Sequence, residues 1–371
     1  MIPLFTVNMP KEVNTALLST IHSGYITQGP KVEEFENQLN LLFRTSYAVT
    51  VNSGTSALTL ALRLANVGPG DEVVTTPMTC SATNLPILSL GAIPVWADVD
   101  PITGLLLPEA VRAKMTPKTK AIIVVDWGGA KPELVQLRKI ADEYGVKLIE
   151  DSAHSFGAEH TKKHLADFTC FSLQAIKHIT TGDGGVLVCT SQKDYERAKL
   201  LRWFGINRAG DGKDTRIDEE ITEWGYKFHM NDLTATIGIA QLPALPVILD
   251  RHQAIADHYR QHINDSYIHP PRQSGFWLYT LLLPNTPLRG QFKKFMAEEG
   301  IQVSQVHRRN DEYKVFKASS GTMLGRWHPN SYPGLNNFAG RMICIPIHNN
   351  LTNTDIRKIV KACNIFAGEN L

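Results

Sequence analysis

Between residues 47 and 190 the sequence alternates short, unbroken apolar runs with stretches of helical periodicity, and few folds accept that pattern. Residues 47–51, 72–75, 94–97, 121–125, 147–150, 168–173 and 185–189 read as strands, with helices at 55–65, 82–90 and 133–144 between them. Strands that are apolar throughout, spaced by helices, predict a mainly parallel sheet covered on both faces. Sheets of this kind bind ligands at the carboxyl ends of their strands. Residues 192–240 read as mostly helical, interrupted by a polar loop at 209–218. The two prolines within 242–246 mark a joint; beyond it 251–264, 288–299 and 354–363 read as helices and 277–283 as a strand. The expectation is an α/β protein with a large domain over 1–240 and a small α+β domain over 241–371.

The charges nearly cancel, 38 basic against 36 acidic for a net +2, so no broad field invites nucleic acid or an acidic membrane. Basic runs such as Lys162-Lys163, Lys293-Lys294 and Arg308-Arg309 are short and read as solvated surface. Cys80, Cys170, Cys189, Cys344 and Cys363 are far apart and form no CxxC pair, which gives no signal for a metal site and fits a reducing compartment. The first residues lack the basic region and apolar core of a signal peptide, and no apolar run approaches membrane-spanning length. The protein is therefore expected in the cytoplasm.

Three segments carry chemistry. After the strand ending at Ser172 comes Lys177, then Thr180-Thr181-Gly182-Asp183-Gly184-Gly185 and another strand. A lysine in a loop of small residues can form an imine with an aldehyde and be displaced by a substrate amine; taken alone, it is also what a solvated lysine looks like. Asp151 ends the buried run 147–150, at the ligand edge of the sheet. It can hold a pyridinium nitrogen protonated, or simply cap a turn. His154, three residues on, can face a cofactor ring or serve only the fold. Asn52-Ser53-Gly54-Thr55-Ser56 runs from a strand into a helix whose free amides and positive end suit a phosphate, although Ser53 or Thr55 serves equally as an N-cap. Ser172 can add a hydroxyl to the same phosphate. A phosphate cradle, a pyridinium partner and an imine lysine, in this order on one sheet, are far more specific together than apart.

Taken with further motifs, the chain resembles the DegT/DnrJ/EryC1/StrS sugar aminotransferases, which have the type I, aspartate-aminotransferase-like, pyridoxal-phosphate (PLP) fold. The motifs are Gly24 to Pro30 (GYITQGP), Asn52 to Leu58 (NSGTSAL), Gly68 to Val73 (GPGDEV), Glu150 to Ala158 (EDSAHSFGA), Lys177 with Thr180 to Gly185, and Gly225 to Asp232 (GYKFHMND). The resemblance implies that Lys177 carries PLP, that Asp151 pairs its ring nitrogen and that His154 lies near its phenolic oxygen. It implies that Thr55, Ser56 and Ser172 hold the phosphate, and that Lys227 reaches the phosphate of a partner subunit in a homodimer with shared sites. Many relatives have Asn where Lys227 stands, and an aromatic residue that stacks on the cofactor where Cys80 stands. Cysteine forgoes that flat contact, about 0.5–1.5 kcal/mol of aromatic pairing.

The implied reaction has two halves. Glutamate displaces Lys177, the freed lysine shuttles a proton between donor and cofactor, and a 2-oxo acid leaves. A keto sugar, most often nucleotide-linked, is then aminated by the reverse steps. His307 and Arg308, with Arg309, suit phosphate or carboxylate contacts with this acceptor, or are exposed charge. A free keto sugar acid is a second acceptor class. A sugar dehydratase of the same family would have histidine in place of the lysine, and a non-catalytic PLP- or sugar-binding regulator is a third reading.

Overall fold

The structure is a computed structural model that describes residues 1–158, 164–207, 217, 220–271, 275–319 and 332–370. Thirteen α-helices and nine strands are assigned among them. The helices are α1 (Glu12–His22), α2 (Pro30–Phe43), α3 (Gly54–Leu64), α4 (Ser81–Ser89), α5 (Pro108–Arg112), α6 (Leu134–Tyr144) and α7 (Gln192–Leu201), then α8 (Asp232–Gln241), α9 (Leu245–His262), α10 (Thr286–Glu298), α11 (Lys314–Ser319), α12 (Pro333–Arg341) and α13 (Asn353–Asn370). The strands are β1 (Ala48–Val51), β2 (Glu72–Thr75), β3 (Ile93–Trp96), β4 (Thr119–Val125), β5 (Lys147–Asp151), β6 (Phe168–Ser172), β7 (Gly185–Cys189), β8 (Tyr279–Leu282) and β9 (Met342–Ile345). The loop expected at 209–218 falls outside the described residues, apart from Ile217.

The seven strands predicted in the first half form one sheet in the order β1-β7-β6-β5-β4-β2-β3. From β6 to β3 all neighbours are parallel, whereas β7 runs antiparallel to both β6 and β1. Alternate residues serve opposite faces. Ile123 and Ile149 pack with Ala57, Leu60, Ala61 and Leu64 of α3. Ile122, Val124 and Leu148 pack with Leu137, Ile140 and Ala141 of α6. Covering both faces explains why the strands carry no polar alternation. Burying each of these isoleucine, leucine and valine side chains contributes about 1.5–3 kcal/mol.

A smaller C-terminal domain is built on the antiparallel pair β8-β9. Tyr259, Phe292, Met296, Ile343, Ile359 and Phe366 form its core. Ile2 belongs to that core and bridges in parallel to Ile301, with Ile2 N–H donating to Gly300 O at 2.7 Å and Gln302 N–H to Ile2 O at 2.9 Å.

Three expectations need correction. Among the described residues of 192–240, only α7 and α8 are helical. Around Tyr226–His229 the backbone is extended, bridging Trp203 to Lys227 and Val51 to His229. Trp224, Tyr226 and Phe228 alternate with period two, a strand signature that outweighs helical propensity here. The prolines of 242–246 do not break the chain: a 3₁₀ turn (Leu242–Ala244) leads into α9, and first-turn proline gives up no helical hydrogen bond. Helix α8, this turn and α9 consequently run on as Asp232–His262, long enough to cross a membrane and holding an 18-residue stretch of mean hydropathy 1.5. Its Ala235, Ile248, Ile255 and Tyr259 instead pack inside the fold.

Candidate active site

The carboxyl ends of β4, β5 and β6, the start of α3, the start of α4 and the 173–184 loop enclose a cavity of about 330 Å³. Asp151, Lys177, Cys80, Thr55, Trp277 and His307 are among the residues that line it.

Asp151 is the last residue of β5 and is 4% exposed. Its Oδ2 accepts from Thr83 Oγ1 at 2.7 Å and its Oδ1 from Ala153 N–H at 3.1 Å. The Thr79 hydroxyl lies 2.7 Å from that of Thr83, extending the chain. Burial raises the Asp151 pKa, opposed by these two hydrogen bonds and by Lys177.

The Lys177 ammonium sits 3.5 Å from the centroid of the Trp277 ring. Burial lowers its pKa to about 7, with Asp151 and then Cys80 pulling the other way. A lysine near neutrality can take up and return a proton at physiological pH.

His154 accepts from Gly128 N–H on Nδ1 at 3.3 Å, which assigns its own proton to Nε2. Burial, then the charge of Lys177, keeps the ring neutral well below the usual histidine range. The ring stacks on Trp277 at 3.9 Å and 27°. Trp277 comes from the C-terminal domain and is tied into this site: its N–H donates to Gly128 O at 2.9 Å and its Nε1–H to Ile176 O at 3.0 Å. Gly129, at φ +106°, permits the approach, because a Cβ there would stand 2.3 Å from Gly275 O.

At the other end Ser53 caps α3, its Oγ accepting from Ser56 N–H at 3.0 Å. The preceding amides of the first turn, at Gly54 and Thr55, have no carbonyl within the helix to donate to. Ser172 and Thr55 line the cavity beside them. Gly185 is fixed by this junction, since a Cβ would lie 2.4 Å from Ser53 O. Ser56 is buried and donates to Asn52 Oδ1 at 2.6 Å, inside the cap rather than on the cavity wall. Lys227 is exposed and away from the cavity, its Nζ 5.6 Å from the Trp203 ring, while Asn52 Nδ2 donates to its carbonyl at 3.3 Å.

His307 closes the cavity opposite the sheet. Its ring is nearly parallel to His154 at 5.7 Å, burial lowers its pKa to about 3, and its buried Nε2 has no partner among the described residues. Arg308 points elsewhere: it pairs with Glu312 at 2.9 Å and lines a separate groove of about 410 Å³. Arg309 is paired with Asp311 at 2.6 Å.

The structure thus brings together Thr55, Asp151, His154, Ser172, Lys177 and His307, and leaves Ser56, Lys227 and Arg308 off the cavity wall. Sequence reasoning missed Trp277, Thr83 and the Gly128-Gly129 pair. Only the glycine doublet between two chemistry-bearing strands carried a local signal.

Behind Asp151 lies a buried ionic cluster. Lys131 Nζ bridges Asp126 Oδ2 at 2.6 Å and Glu150 Oε1 at 2.9 Å, and Ser152 Oγ donates to Asp126 Oδ2 at 2.9 Å. Ser155 Oγ donates to the same oxygen. Burial lifts the Asp126 pKa to about 7 in spite of Lys131.

The chain is similar over nearly its whole length to known proteins. The chain is 28% identical to the spore coat polysaccharide biosynthesis protein SpsC of Bacillus subtilis, over 95% of this chain and 93% of that one. The fold superposes on the sugar aminotransferase CalS13 of Micromonospora echinospora with TM-score 0.90 and 34% identity, covering 99% and 100% of the two chains. It matches the PLP form of the protein Spr1654 of Streptococcus pneumoniae with TM-score 0.90 and 26% identity, over 100% and 99%. The family match extends over residues 8–364, nearly the whole sequence, so the chain belongs to the DegT/DnrJ/EryC1/StrS aminotransferase family.

Proposed function

We propose that the protein is a PLP-dependent sugar aminotransferase that moves an amino group from glutamate to a nucleotide-linked keto sugar. One observation carries the reading: a buried amine, Lys177, and a buried carboxylate, Asp151, line one cavity that also reaches the open N-terminus of α3. These residues fit PLP. The α3 amides, Thr55 and Ser172 suit its phosphate, Asp151 its ring nitrogen and Lys177 its aldehyde, a donor set that answers each polar group of the cofactor. Bound there, PLP supplies an electron sink for breaking a bond next to the transferred nitrogen.

The protein's own residues do the rest. Asp151, held by Thr83 and Ala153, keeps a proton on the ring nitrogen. His154, neutral with its proton on Nε2, offers a donor at the ring's edge. Lys177, with its pKa near 7, is both acceptor and donor for the proton moved during transfer. Trp127 and Trp277, both buried, shield these steps from water. His307 and Arg308 are the residues we assign to the acceptor, His307 within the cavity and Arg308 at the groove beyond it.

The exposed Leu18, Ile21, Tyr25, Ile26 and Trp224 support a homodimer, as does Lys227, free at the surface to reach a partner's site. The division into a large domain to residue 240 and a small one from 241 belongs to the same reading, as does a cytoplasmic setting, which suits five free cysteines.

Glutamate is expected to convert the PLP form to the pyridoxamine form, seen as a change in absorbance, and Lys177→Ala to abolish it. Borohydride reduction followed by peptide mapping is expected to place the pyridoxyl group on Lys177. An unchanged rate in the variant, or no adduct at that residue, overturns the assignment.

A further inference from the structure

Lys177 is held by an aromatic face. Its Nζ is 3.5 Å from the centroid of Trp277, and no carboxylate among the described residues comes within ion-pairing distance of it. The indole is fixed on every side that matters. Its Nε1–H donates to Ile176 O, in the loop that carries Lys177; its backbone N–H donates to Gly128 O; one neighbour in the stack is His154 at 3.9 Å and another is Phe5 at 5.2 Å. A ring so constrained cannot turn away from the amine.

We propose that Trp277 is a positioning residue for the transfer step, a platform on which the amine of Lys177 rests when it is not linked to the cofactor and which stabilises its protonated form. This rests on the assignment of Lys177 in the proposed function. The electron-rich face of an indole attracts a cation, most strongly where water is excluded. Of the other groups facing the amine, Asp151 at the end of β5 and Cys80 before α4 favour the cation, while His154, His178 and His307 are neutral and buried. Without the indole, a lysine in this cavity loses its nearest favourable contact and deprotonates more readily. With it, the amine stays within one side-chain swing of the reacting carbon and still carries a proton to return.

The test uses the pyridoxamine-phosphate form of the enzyme, in which Lys177 has a free amine. Acetylation of Lys177 by acetic anhydride, followed across pH by peptide mass spectrometry, gives its pKa from the midpoint of the curve, independent of how easily the reagent enters. Trp277→Leu is expected to lower that midpoint by about one pH unit and Trp277→Phe by roughly half as much. The acid limb of the glutamate half-reaction is expected to shift by the same amount. An indole that merely fills space predicts the opposite sign, because the smaller leucine admits water and hydration favours the ammonium. A midpoint that stays put or rises in Trp277→Leu overturns the proposal, and Trp277→Phe decides the matter if the leucine variant does not fold. Failure of the underlying assignment shows separately, as a missing pyridoxyl adduct at Lys177 in the wild-type protein.

Discussion

Replacing Lys131 by methionine keeps the length of its side chain and removes the cation that bridges Asp126 and Glu150. Asp126 has no exposed side-chain surface and Glu150 has 6%, so both carboxylates are left in a medium that solvates charge poorly. Removing one partner of a buried ion pair costs about 3–5 kcal/mol. Protonation caps the cost here. Asp126 already titrates near 7, far above an unfolded aspartate, so the folded state binds the extra proton and this contribution to stability is lost as pH rises through 7. Without Lys131 the pKa moves higher still, and the loss continues above pH 7 where the wild type has levelled off. One group changes stability by at most about 1.4 kcal/mol per pH unit, so the penalty should be about 2 kcal/mol larger at pH 8.5 than at pH 6.5. Urea unfolding followed by tryptophan fluorescence at the two pH values measures this, with Lys131→Arg as the control that keeps the charge and stays near wild type. A Lys131→Met penalty that is the same at both pH values refutes the electrostatic argument and leaves Lys131 a packing residue.

Asp232 is buried and accepts from Gly29, Lys31 and Val32 N–H at 2.7–3.1 Å, so Asp232→Ala leaves three donors at the N-cap and first turn of α2 unmet and should cost about 3–5 kcal/mol in thermal or urea unfolding. Asp151→Asn should reduce the glutamate half-reaction by about 10²–10³-fold in stopped-flow measurements, with smaller loss in the refolded stability than in rate. Cys80→Tyr restores a flat surface at the cavity wall and should slow PLP dissociation by roughly 2–10-fold, read by dialysis and absorbance. Burial lowers His178 to about 3 and His252 to about 4, so both contribute stability that is complete above the unfolded value near 6.5 and lost as pH falls toward 3–4; His252→Asn should flatten that acid limb in a melting-temperature profile.

The sheet was legible because every strand in it is covered on both faces, leaving unbroken apolar runs that helices separate. Asp151 stood out as a candidate because strand ends are where such sheets hold ligands, and Lys177 because a turn of small residues follows it. What the sequence hid depends on distance along the chain. The start of α2 is capped by a carboxylate 200 residues away, which no local pattern encodes. Lys131 carries no local signal; its role exists only because Asp126, just past the end of β4, and Glu150, on β5, close around it. Trp277 read as one more apolar residue of a strand, and its place over Lys177 exists only because Gly129 lets the 275–278 segment pass against the sheet edge. Beyond 300, β9 is four residues long, too short for periodicity to distinguish it from a helix fragment.

The parallel bridge between Ile2 and Ile301, made of two backbone hydrogen bonds, gives the two halves of the molecule a second connection. The chain starts on the C-terminal domain, crosses to the large sheet before α1, and crosses back within the long helix that ends at His262. A body tied at two places drifts and twists less freely than one tied at a single place. Any opening of the cleft that carries Trp277 and His307 away from Lys177 is thereby limited by the reach of residues 3–11 as well as by the bending of the long helix.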